Sequence, residues 1–481
     1  MSRLFCIAGL LTLFTASWAT ADWPQFRGPD ANGLSGAGAT PQTWGEETNI
    51  RWQVKPGGSG WSQPIVVGGK VFITSATPVE QPAGVTQASQ PPQERPEGQR
   101  RGDRAGNGGP GNGGPGNGGG GRGGPGGGRG FGGRPAAPAG PVRFEVICYD
   151  LQSGDELWRQ TAIEAAPREP THRDNTFATE TPVSDGKRVI AYFGMMGVVC
   201  YDLNGELLWK KDLGAYPLDN NWGTASSPAL ADGLVFLQID NEEDSFVVAL
   251  DVLSGDERWR DKRTEKTNWC SPIIWRNKGR TELVCGGETV RAYEPKTGKV
   301  LWSLTIEGGR SCASPTGNDD LLIVGTEDRS SRGGGPGGLF AVKAGASGEV
   351  APASGESTSE GVLWSTRRDG TSMASPLIYE GLVYLFDRNG AKVVCLKADT
   401  GEKAYQTRAP GGAAFWASPW EAGGKVFGID EAGTTFVLAP KPEFEVLGKN
   451  ELNGRFWSSP AVADGALLLR SEDTLYCIAK P

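Results

Sequence analysis

A proline-centred stretch recurs eight times along the chain, and this repeat limits the possible fold more than any other feature of the sequence. Where the repeat is uninterrupted, successive prolines are 41 to 46 residues apart. Two longer steps, from Pro64 to Pro182 and from Pro315 to Pro376, contain insertions. Seven of the prolines follow Ser or Thr, and the first follows Gln63. The eight prolines are Pro64, Pro182, Pro228, Pro272, Pro315, Pro376, Pro419 and Pro460.

The clearest copy begins at Pro228 and predicts four short antiparallel strands. Two apolar runs are separated by Asp232-Gly233, which is typical of a tight hairpin turn. A third run covers residues 247–251, Ser254-Gly255 forms the next turn, and residues 257–259 lie on a fourth strand. A single sheet of this size cannot bury both of its faces, so the repeat predicts a stack of such sheets.

The second half of the unit also recurs, with a small residue, an acid, a turn glycine and then an aromatic residue. The glycine permits the turn conformation, and the indole offers a large flat surface to the next sheet. The aromatic residues that end these copies are Trp158, Trp209, Trp259, Trp302 and, in a weaker copy, Tyr405.

This pattern resembles the tryptophan-docking repeat of the pyrroloquinoline quinone (PQQ)-type β-propellers. The family includes the quinoprotein alcohol dehydrogenases and the outer-membrane assembly propeller BamB. The resemblance extends from about residue 50 to the C-terminus and implies an all-β fold. It does not choose between functions, because enzymes and non-enzymes share the repeat.

The two ends of the repeat region complement one another. Residues 50–54 read as a fourth strand without the first three, and the last unit provides three strands without a fourth. Pairing residues 50–54 with the strand at 474–478 would close the ring and remove two exposed edges. The sequence therefore predicts an eight-bladed β-propeller of four-stranded antiparallel blades.

The remaining segments divide the chain further. Residues 1–21 have a positive start at Arg3, an apolar run and a small-residue end, which predicts a secretory signal peptide. Residues 22–49 predict an arm across the propeller, anchored by Trp23 and Phe26. The propeller covers 50–481, with a Gly/Pro/Arg-rich insertion at about 77–142 that we expect to be disordered, and smaller insertions at 326–338 and 344–361. We expect an exported, soluble protein, periplasmic or extracellular, without a transmembrane segment.

Charge and residue counts exclude several classes of function. The net charge is −8, and residues 81–141 carry seven Arg and three acids, so the rest of the chain carries −12. An acidic body argues against nucleic acid as a partner. Four cysteines, Cys148, Cys200, Cys395 and Cys477, take the repeat's small-residue position, which indicates packing. His172 is the only histidine, which excludes His-based triads and His clusters.

The candidate binding residues lie in the segments just before the repeat prolines. In a propeller these loops gather on one face, so the repeat symmetry predicts an aromatic funnel with polar residues between the rings. The same tryptophans could instead only pack between blades. The candidates are Trp61, Asn175, Trp222, Trp269, Arg310, Trp416, Arg455 and Trp457.

Three hypotheses about function follow, and the first is preferred. The protein is a non-catalytic binding scaffold that recognises a protein, peptide or glycan on the funnel face, without a cofactor. The alternative is a PQQ-dependent quinoprotein dehydrogenase with calcium. Against it, the sequence has no adjacent cysteine pair and no recognisable set of calcium ligands, so no catalytic or metal-binding residue is predicted. A BamB-like role in outer-membrane protein assembly is the third hypothesis.

Overall fold

The computed structural model describes residues 22–36, 40–79, 140–328 and 335–480. These residues form eight mainly antiparallel sheets, the blades of an all-β propeller, and the predicted fold class is confirmed. The helical elements in this part of the chain are two short 3-10 turns, Gly194–Met196 and Asp219–Asn221.

The first four blades each contain four strands in chain order. Blade 1 consists of Ile65–Val67, Lys70–Pro78, Val142–Asp150 and Glu156–Ala165. Blade 2 consists of Val183–Ser184, Arg188–Tyr192, Val198–Asp202 and Leu207–Lys211. Blade 3 consists of Ala229–Ala231, Leu234–Ile239, Phe246–Asp251 and Glu257–Lys262. Blade 4 consists of Ile273–Arg276, Thr281–Cys285, Thr289–Tyr293 and Val300–Thr305.

Blades 6 and 7 follow the same plan, whereas blade 5 has five strand segments and blade 8 takes its fourth strand from the start of the propeller chain. Blade 5 consists of Gly309–Arg310, Thr316–Gly317, Leu321–Asp328, Gly335–Lys343 and Val362–Thr366. Blade 6 consists of Leu377–Tyr379, Leu382–Asp387, Lys392–Lys397 and Lys403–Arg408. Blade 7 consists of Trp420–Ala422, Lys425–Ile429, Thr434–Leu438 and Val446–Glu451. Blade 8 consists of Ala461–Ala463, Ala466–Arg470, Leu475–Ile478 and Ile50–Val54.

Blade 8 closes the ring as the sequence predicts. Ile50–Val54 pairs antiparallel with Leu475–Ile478, in a register that places Trp52 opposite Cys477 and Val54 opposite Leu475. The ends of the propeller chain therefore share one sheet, and each covers what would otherwise be an open edge of the other.

A chain of hydrogen bonds around the axis explains why Ser or Thr precedes most repeat prolines. In each bond, the backbone N–H of the residue before one proline donates to the side-chain oxygen of the equivalent residue in the next blade, at 2.9–3.0 Å. Gln63 takes this position in blade 1, and its amide nitrogen donates to the Pro460 carbonyl of blade 8. We call these residues the hydroxyl ring; in order they are Gln63, Thr181, Ser227, Ser271, Ser314, Ser375, Ser418 and Ser459.

Tryptophans on the fourth strands link neighbouring blades. Each indole N–H donates to a carbonyl oxygen in a turn of the next blade, and each ring covers a turn glycine with positive φ. A Cβ on Gly255 would lie 2.7 Å from the Trp209 ring, which explains the glycine at this repeat position. The pairs are Trp52 with Gly154, Trp158 with Gly205, Trp209 with Gly255, Trp259 with Gly298 and Trp364 with Gly401.

Trp302 makes a different contact, since its indole donates to Glu282 Oε2 of its own blade at 2.6 Å. Trp209 and Trp302 are buried, whereas Trp259 is half-buried.

The four cysteines at the small-residue position are buried without disulfides, and burial raises the pKa of Cys148 and Cys200 to about 12.

The insertions are shorter than the sequence predicts, because strands continue into their ends. Strands cover residues 326–328 and 335–338 at both ends of the predicted 326–338 insertion. Within the predicted 344–361 insertion, Gly348–Glu349 pairs in parallel with the outer strand of blade 4. Val79 donates to the Pro141 carbonyl at 2.9 Å, where the chain leaves and re-enters blade 1. The centre of the predicted 77–142 insertion and the signal peptide at 1–21 lie outside the described residues.

The N-terminal segment 22–36, which we call the arm, crosses the face formed by the turns between first and second strands. We call this the arm face. Buried Trp23 pairs with Val66 of blade 1, whereas Phe26 is only half-buried. Leu34 bridges to Glu421 of blade 7. The arm therefore contacts blades on both sides of the axis.

Arg27 extends from the arm into the axis. Its backbone N–H donates to Gln63 Oε1 at 2.8 Å. Its guanidinium donates to the carbonyl oxygens of Asn32 at 3.0 Å and Pro376 at 2.7 Å, and also to the Thr316 hydroxyl. Complete burial lowers the pKa of Arg27 to about 9. The arm thus places a cation on the carbonyl oxygen of Pro376, the repeat proline that follows Ser375 of the hydroxyl ring.

Candidate functional site

Strand direction decides which loops share the face opposite the arm. Because the four strands of a blade alternate in direction, the loop before the first strand and the loop between the second and third strands lie at the same end. Both kinds of loop therefore meet at the face that we call the funnel face. The predicted site residues belong to the first kind of loop, except that Arg310 lies on the short strand Gly309–Arg310.

Three of the predicted tryptophans form one stack on this face. The ring centroids of Trp416 and Trp457 are 4.1 Å apart, and those of Trp457 and Trp61 are 5.3 Å apart. The guanidinium carbon of Arg455 lies 5.6 Å from the Trp61 centroid and 5.1 Å from that of Trp457. Arg455 also pairs with Asp174 at 3.5 Å and with Glu472 at 3.1 Å. The structure thus joins the loops of blades 1, 7 and 8.

Trp222 and Trp269 form a second stack, with centroids 5.6 Å apart. Arg310 lies against both rings, 5.7 Å and 5.5 Å from their centroids. One Arg310 nitrogen is 3.1 Å from Glu327, and another is 3.9 Å from Asp219. A guanidinium lying against indoles gains cation–π attraction while its remaining donors stay directed to carboxylates.

Arg388 and Glu327 connect the two stacks, and sequence reasoning missed both. Glu327 is only 1% exposed and accepts hydrogen bonds from Arg310 and Arg388, each at 3.1 Å. Arg388 in turn lies 5.6 Å from the Trp416 centroid. Both residues lie at or after the end of a second strand, and the alternation of strand direction was the signal that could have placed them on this face.

His172 and Asp174 complete the circuit on the other side. The His172 ring meets Trp222 edge-on with centroids 6.2 Å apart, and its Nδ1 lies 3.7 Å from Asp174. Asp174 accepts the Trp61 indole N–H through its carbonyl oxygen at 3.0 Å. The side chains therefore form a closed series around the funnel mouth: Trp61, Trp457, Trp416, Arg388, Glu327, Arg310, Trp269, Trp222, His172 and Asp174. We call this the funnel ring.

Asn175 links its own loop to the neighbouring loop that carries Trp222. Its amide nitrogen donates to the carbonyl oxygens of Trp222 at 2.9 Å and Thr224 at 3.2 Å. Its amide oxygen accepts from the Thr176 N–H and from the Thr179 hydroxyl. These four bonds fill the capacity of the side chain, so Asn175 positions the loop that carries Trp222.

The funnel ring suits flat or carboxylate-bearing groups better than a metal ion. Its tryptophans are half-buried apart from the buried Trp61, so ring edges and faces remain partly accessible. Its carboxylates are each within 4 Å of an arginine or of the histidine. Within the described residues, no group of three or more His, Cys, Asp or Glu side chains is placed to hold a metal ion.

Comparison with known protein families gives one decisive match. The family model described as "Outer membrane protein assembly factor BamB" matches residues 142–313 and 286–441, which together exceed half of the chain. The chain belongs to this family. The predicted resemblance to PQQ-like propellers is therefore confirmed. A search of curated proteins finds no match.

Solved structures of other proteins share this fold at low sequence identity. A europium-containing methanol dehydrogenase superposes with a TM-score of 0.55 at 10% identity, covering 94% of this chain and 90% of its own. The quinohemoprotein alcohol dehydrogenase from Comamonas testosteroni gives 0.55 at 10% identity, covering 96% and 81%. BamB from Moraxella catarrhalis gives 0.49 at 13% identity, covering 71% and 92%. At these identities the likeness concerns the fold alone.

The helical turns of the described residues are short. Within this part of the chain, no helix is long and apolar enough to cross a bilayer.

Proposed function

We propose that the protein is an exported, non-catalytic propeller whose funnel face binds an extended segment of another protein. The observation that carries the proposal is the funnel ring, in which part-exposed indoles and arginines surround the axis at one end. Aromatic and arginine side chains are the residues that most often anchor protein interfaces. The arm covers the other end of the axis, so the funnel face is the end that the arm leaves uncovered.

A polypeptide partner fits this chemistry better than a glycan or a planar cofactor. Indole faces accept apolar side chains, and arginines beside them can donate to backbone carbonyls or carboxylates. The family description names an assembly factor, which also favours a protein partner. Assembly of outer-membrane proteins is the more specific version of the proposal.

The same ring does not fit a calcium–quinone pair. A calcium site takes six to eight oxygen ligands, mostly carboxylates and carbonyls free to turn toward the ion. Here Glu327 is held between two arginines at 3.1 Å, and Asp174 faces Arg455 at 3.5 Å. In the tightest stack, Trp416 and Trp457 cover one another at 4.1 Å, which leaves no gap for a planar cofactor between these two rings.

Export rests on residues 1–21, whose sequence predicts a cleavable signal. We expect the mature protein to begin at Asp22. N-terminal sequencing of the protein recovered from a bacterial periplasm tests this, and a retained Met1 would reject the signal assignment.

The binding proposal is tested with a random peptide library displayed on phage and selected on the immobilised protein. Selected peptides are synthesised with a fluorophore, and their affinity is measured by anisotropy. Arg455→Ala should weaken binding about tenfold or more, because it removes the cation over two funnel tryptophans. Its two acidic partners are 30% and 55% exposed in their side chains, so their loss of pairing costs little stability.

Arg258→Ala is the matched control. Arg258 is also part-exposed and pairs with an acid, Asp251, at 2.7 Å, but it lies on the outer strand of blade 3. Its loss should leave peptide affinity unchanged. Equal affinity of both variants for every selected peptide would mean that the site is not on the funnel face.

Saturable binding of PQQ with CaCl₂, together with dye-linked alcohol oxidation, would establish the dehydrogenase alternative instead.

A further inference from the structure

A small cavity opens beside the funnel ring, between blades 8 and 1. It has a volume of about 150 Å³ and lies between residues 55–58 and the turn that carries Arg470, Glu472 and Asp473. Residues 55–58 precede Trp61, and the turn joins the second and third strands of blade 8. Both segments therefore belong to the funnel face.

Arg470 is a buried wall of this cavity. Arg470 is 3% exposed. Its Nη1 donates to the backbone carbonyl oxygen of Ser62 at 3.1 Å and to the Ser62 hydroxyl oxygen at 2.5 Å. Among the described residues, the hydrogen bonds that Arg470 donates both leave from Nη1, and no ion pair includes its guanidinium. Nε and Nη2 form one edge of the guanidinium, which is the edge that binds a carboxylate through two parallel hydrogen bonds.

Arg27 and Arg263, the other two fully buried arginines among the described residues, show how a buried guanidinium is satisfied elsewhere in the fold. Arg263 is paired with the buried Asp240, with 2.8 Å between Nε and Oδ1. Arg27 donates to two backbone carbonyls and a hydroxyl. Arg470 has neither a counter-ion nor a full set of acceptors, and burial lowers its pKa to about 10. A buried cation of this kind is stabilised by any anion that reaches its free edge.

The cavity mouth carries acids that are already paired. Asp473 lies 3.6 Å from Lys55, and Glu472 lies 3.1 Å from Arg455. Arg470 therefore supplies the positive charge that no acid already pairs, and Lys55 would share its charge between Asp473 and a ligand, while the two acids still disfavour a dianion. A singly charged, planar anion satisfies both conditions.

We infer that this cavity binds a carboxylate, held by the Nε–Nη2 edge of Arg470 and attracted by Lys55. The carboxylate can belong to a small free acid or to the C-terminus of a polypeptide. Binding of a small acid does not depend on the proposed function. Capture of a chain terminus does rest on it, because the Arg455–Glu472 pair connects the cavity to the funnel ring.

Calorimetric titration tests the inference with four probes at constant ionic strength: sodium acetate, N-acetyl-alanine, N-acetyl-alaninamide and inorganic phosphate. Acetate and N-acetyl-alanine should bind saturably, the amide should not bind, and phosphate should bind more weakly than acetate. Tighter binding of N-acetyl-alanine than of acetate assigns the cavity to chain termini, and equal binding assigns it to small acids. No carboxylate binding, or tighter binding of phosphate, would overturn the inference.

Substitutions locate the binding. Arg470→Gln should abolish it, with the far-ultraviolet circular dichroism spectrum of wild type. If Arg470→Gln does not fold, two exposed rim positions give opposite shifts in a folded protein: Lys55→Gln should weaken acetate binding several-fold, and Glu472→Gln should strengthen it. If neither rim variant changes the acetate affinity, the bound carboxylate is elsewhere and the inference is wrong. Peptide binding at Arg455 can fail or succeed independently of these results.

Discussion

The two faces of the propeller are made from the same repeats but treat their charged groups differently. On the arm face, the chain's own N-terminal segment covers the axis, and Arg27 is fully buried among carbonyl and hydroxyl oxygens. On the funnel face, Arg455 stays part-exposed, with acids and indoles as neighbours. The repeat therefore builds a ring with an opening at each end, and the non-repeated arm covers one of the two.

The largest expected effect comes from removing the segment that distinguishes the faces. Deleting residues 22–55 removes the arm, Trp52 and the strand that pairs with Leu475–Ile478. The ring then has two open edges and an uncovered axis, so we expect a protein that aggregates or fails to unfold cooperatively. Thermal unfolding measured by circular dichroism checks this. A melting temperature equal to that of wild type would show that ring closure is dispensable.

A smaller change tests the arm alone. Arg27→Met keeps an unbranched side chain but removes the guanidinium, so the carbonyl oxygens of Asn32 and Pro376 lose this donor. We expect a loss of about 2–4 kcal/mol in the free energy of unfolding, measured in urea. Arg276→Met is the control, because Arg276 reaches the arm only through an exposed pair with Asp30 at 3.4 Å. Equal effects of the two changes would mean that Arg27 does not anchor the arm.

The funnel face contains a fully buried acid, Glu180. Burial of Glu180, in the funnel loop of blade 2, raises its pKa to about 7 from the ordinary value of 4.5. Because the folded-state pKa is raised, the acid costs nothing below pH 4.5, destabilises increasingly between pH 4.5 and 7, and costs a constant amount at higher pH. Glu180→Gln should match wild type at pH 4 and exceed it by about 3 kcal/mol at pH 8, as measured by urea unfolding at the two pH values. A difference that does not change with pH would contradict the assignment.

The smallest expected effect concerns the long insertion. Its ends are held together where Val79 donates to the Pro141 carbonyl, so the core of blade 1 does not depend on the intervening residues. Removing residues 85–138 should leave the melting temperature nearly unchanged, because loop length contributes little to stability. A loss of more than about 2 kcal/mol would mean that the insertion packs on the propeller.

The sequence was sufficient for the fold and only partly sufficient for the site. Ring closure through residues 50–54 follows from counting strands, and the structure confirms it. The role of Ser and Thr before the prolines required coordinates, since the hydroxyl ring joins residues more than forty positions apart.

Arg388, Glu327 and Arg470 escaped prediction for a different reason. They lie at or beyond the ends of second strands, where the repeat is least regular, and their importance comes from neighbours in other blades. The set of binding residues proposed from the sequence stays a prediction, and the hydrogen bonds of Asn175 link its own loop to the loop that carries Trp222.

Hydrogen–deuterium exchange with and without a selected peptide compares the two faces in one measurement. The peptide should slow amide exchange in the funnel loops around Trp61, Trp222, Trp416 and Trp457. Exchange in the arm, residues 22–36, and in the turn at Asp232-Gly233 should not change. Slower exchange confined to the arm face or to the outer strands would contradict the assignment of binding to the funnel face.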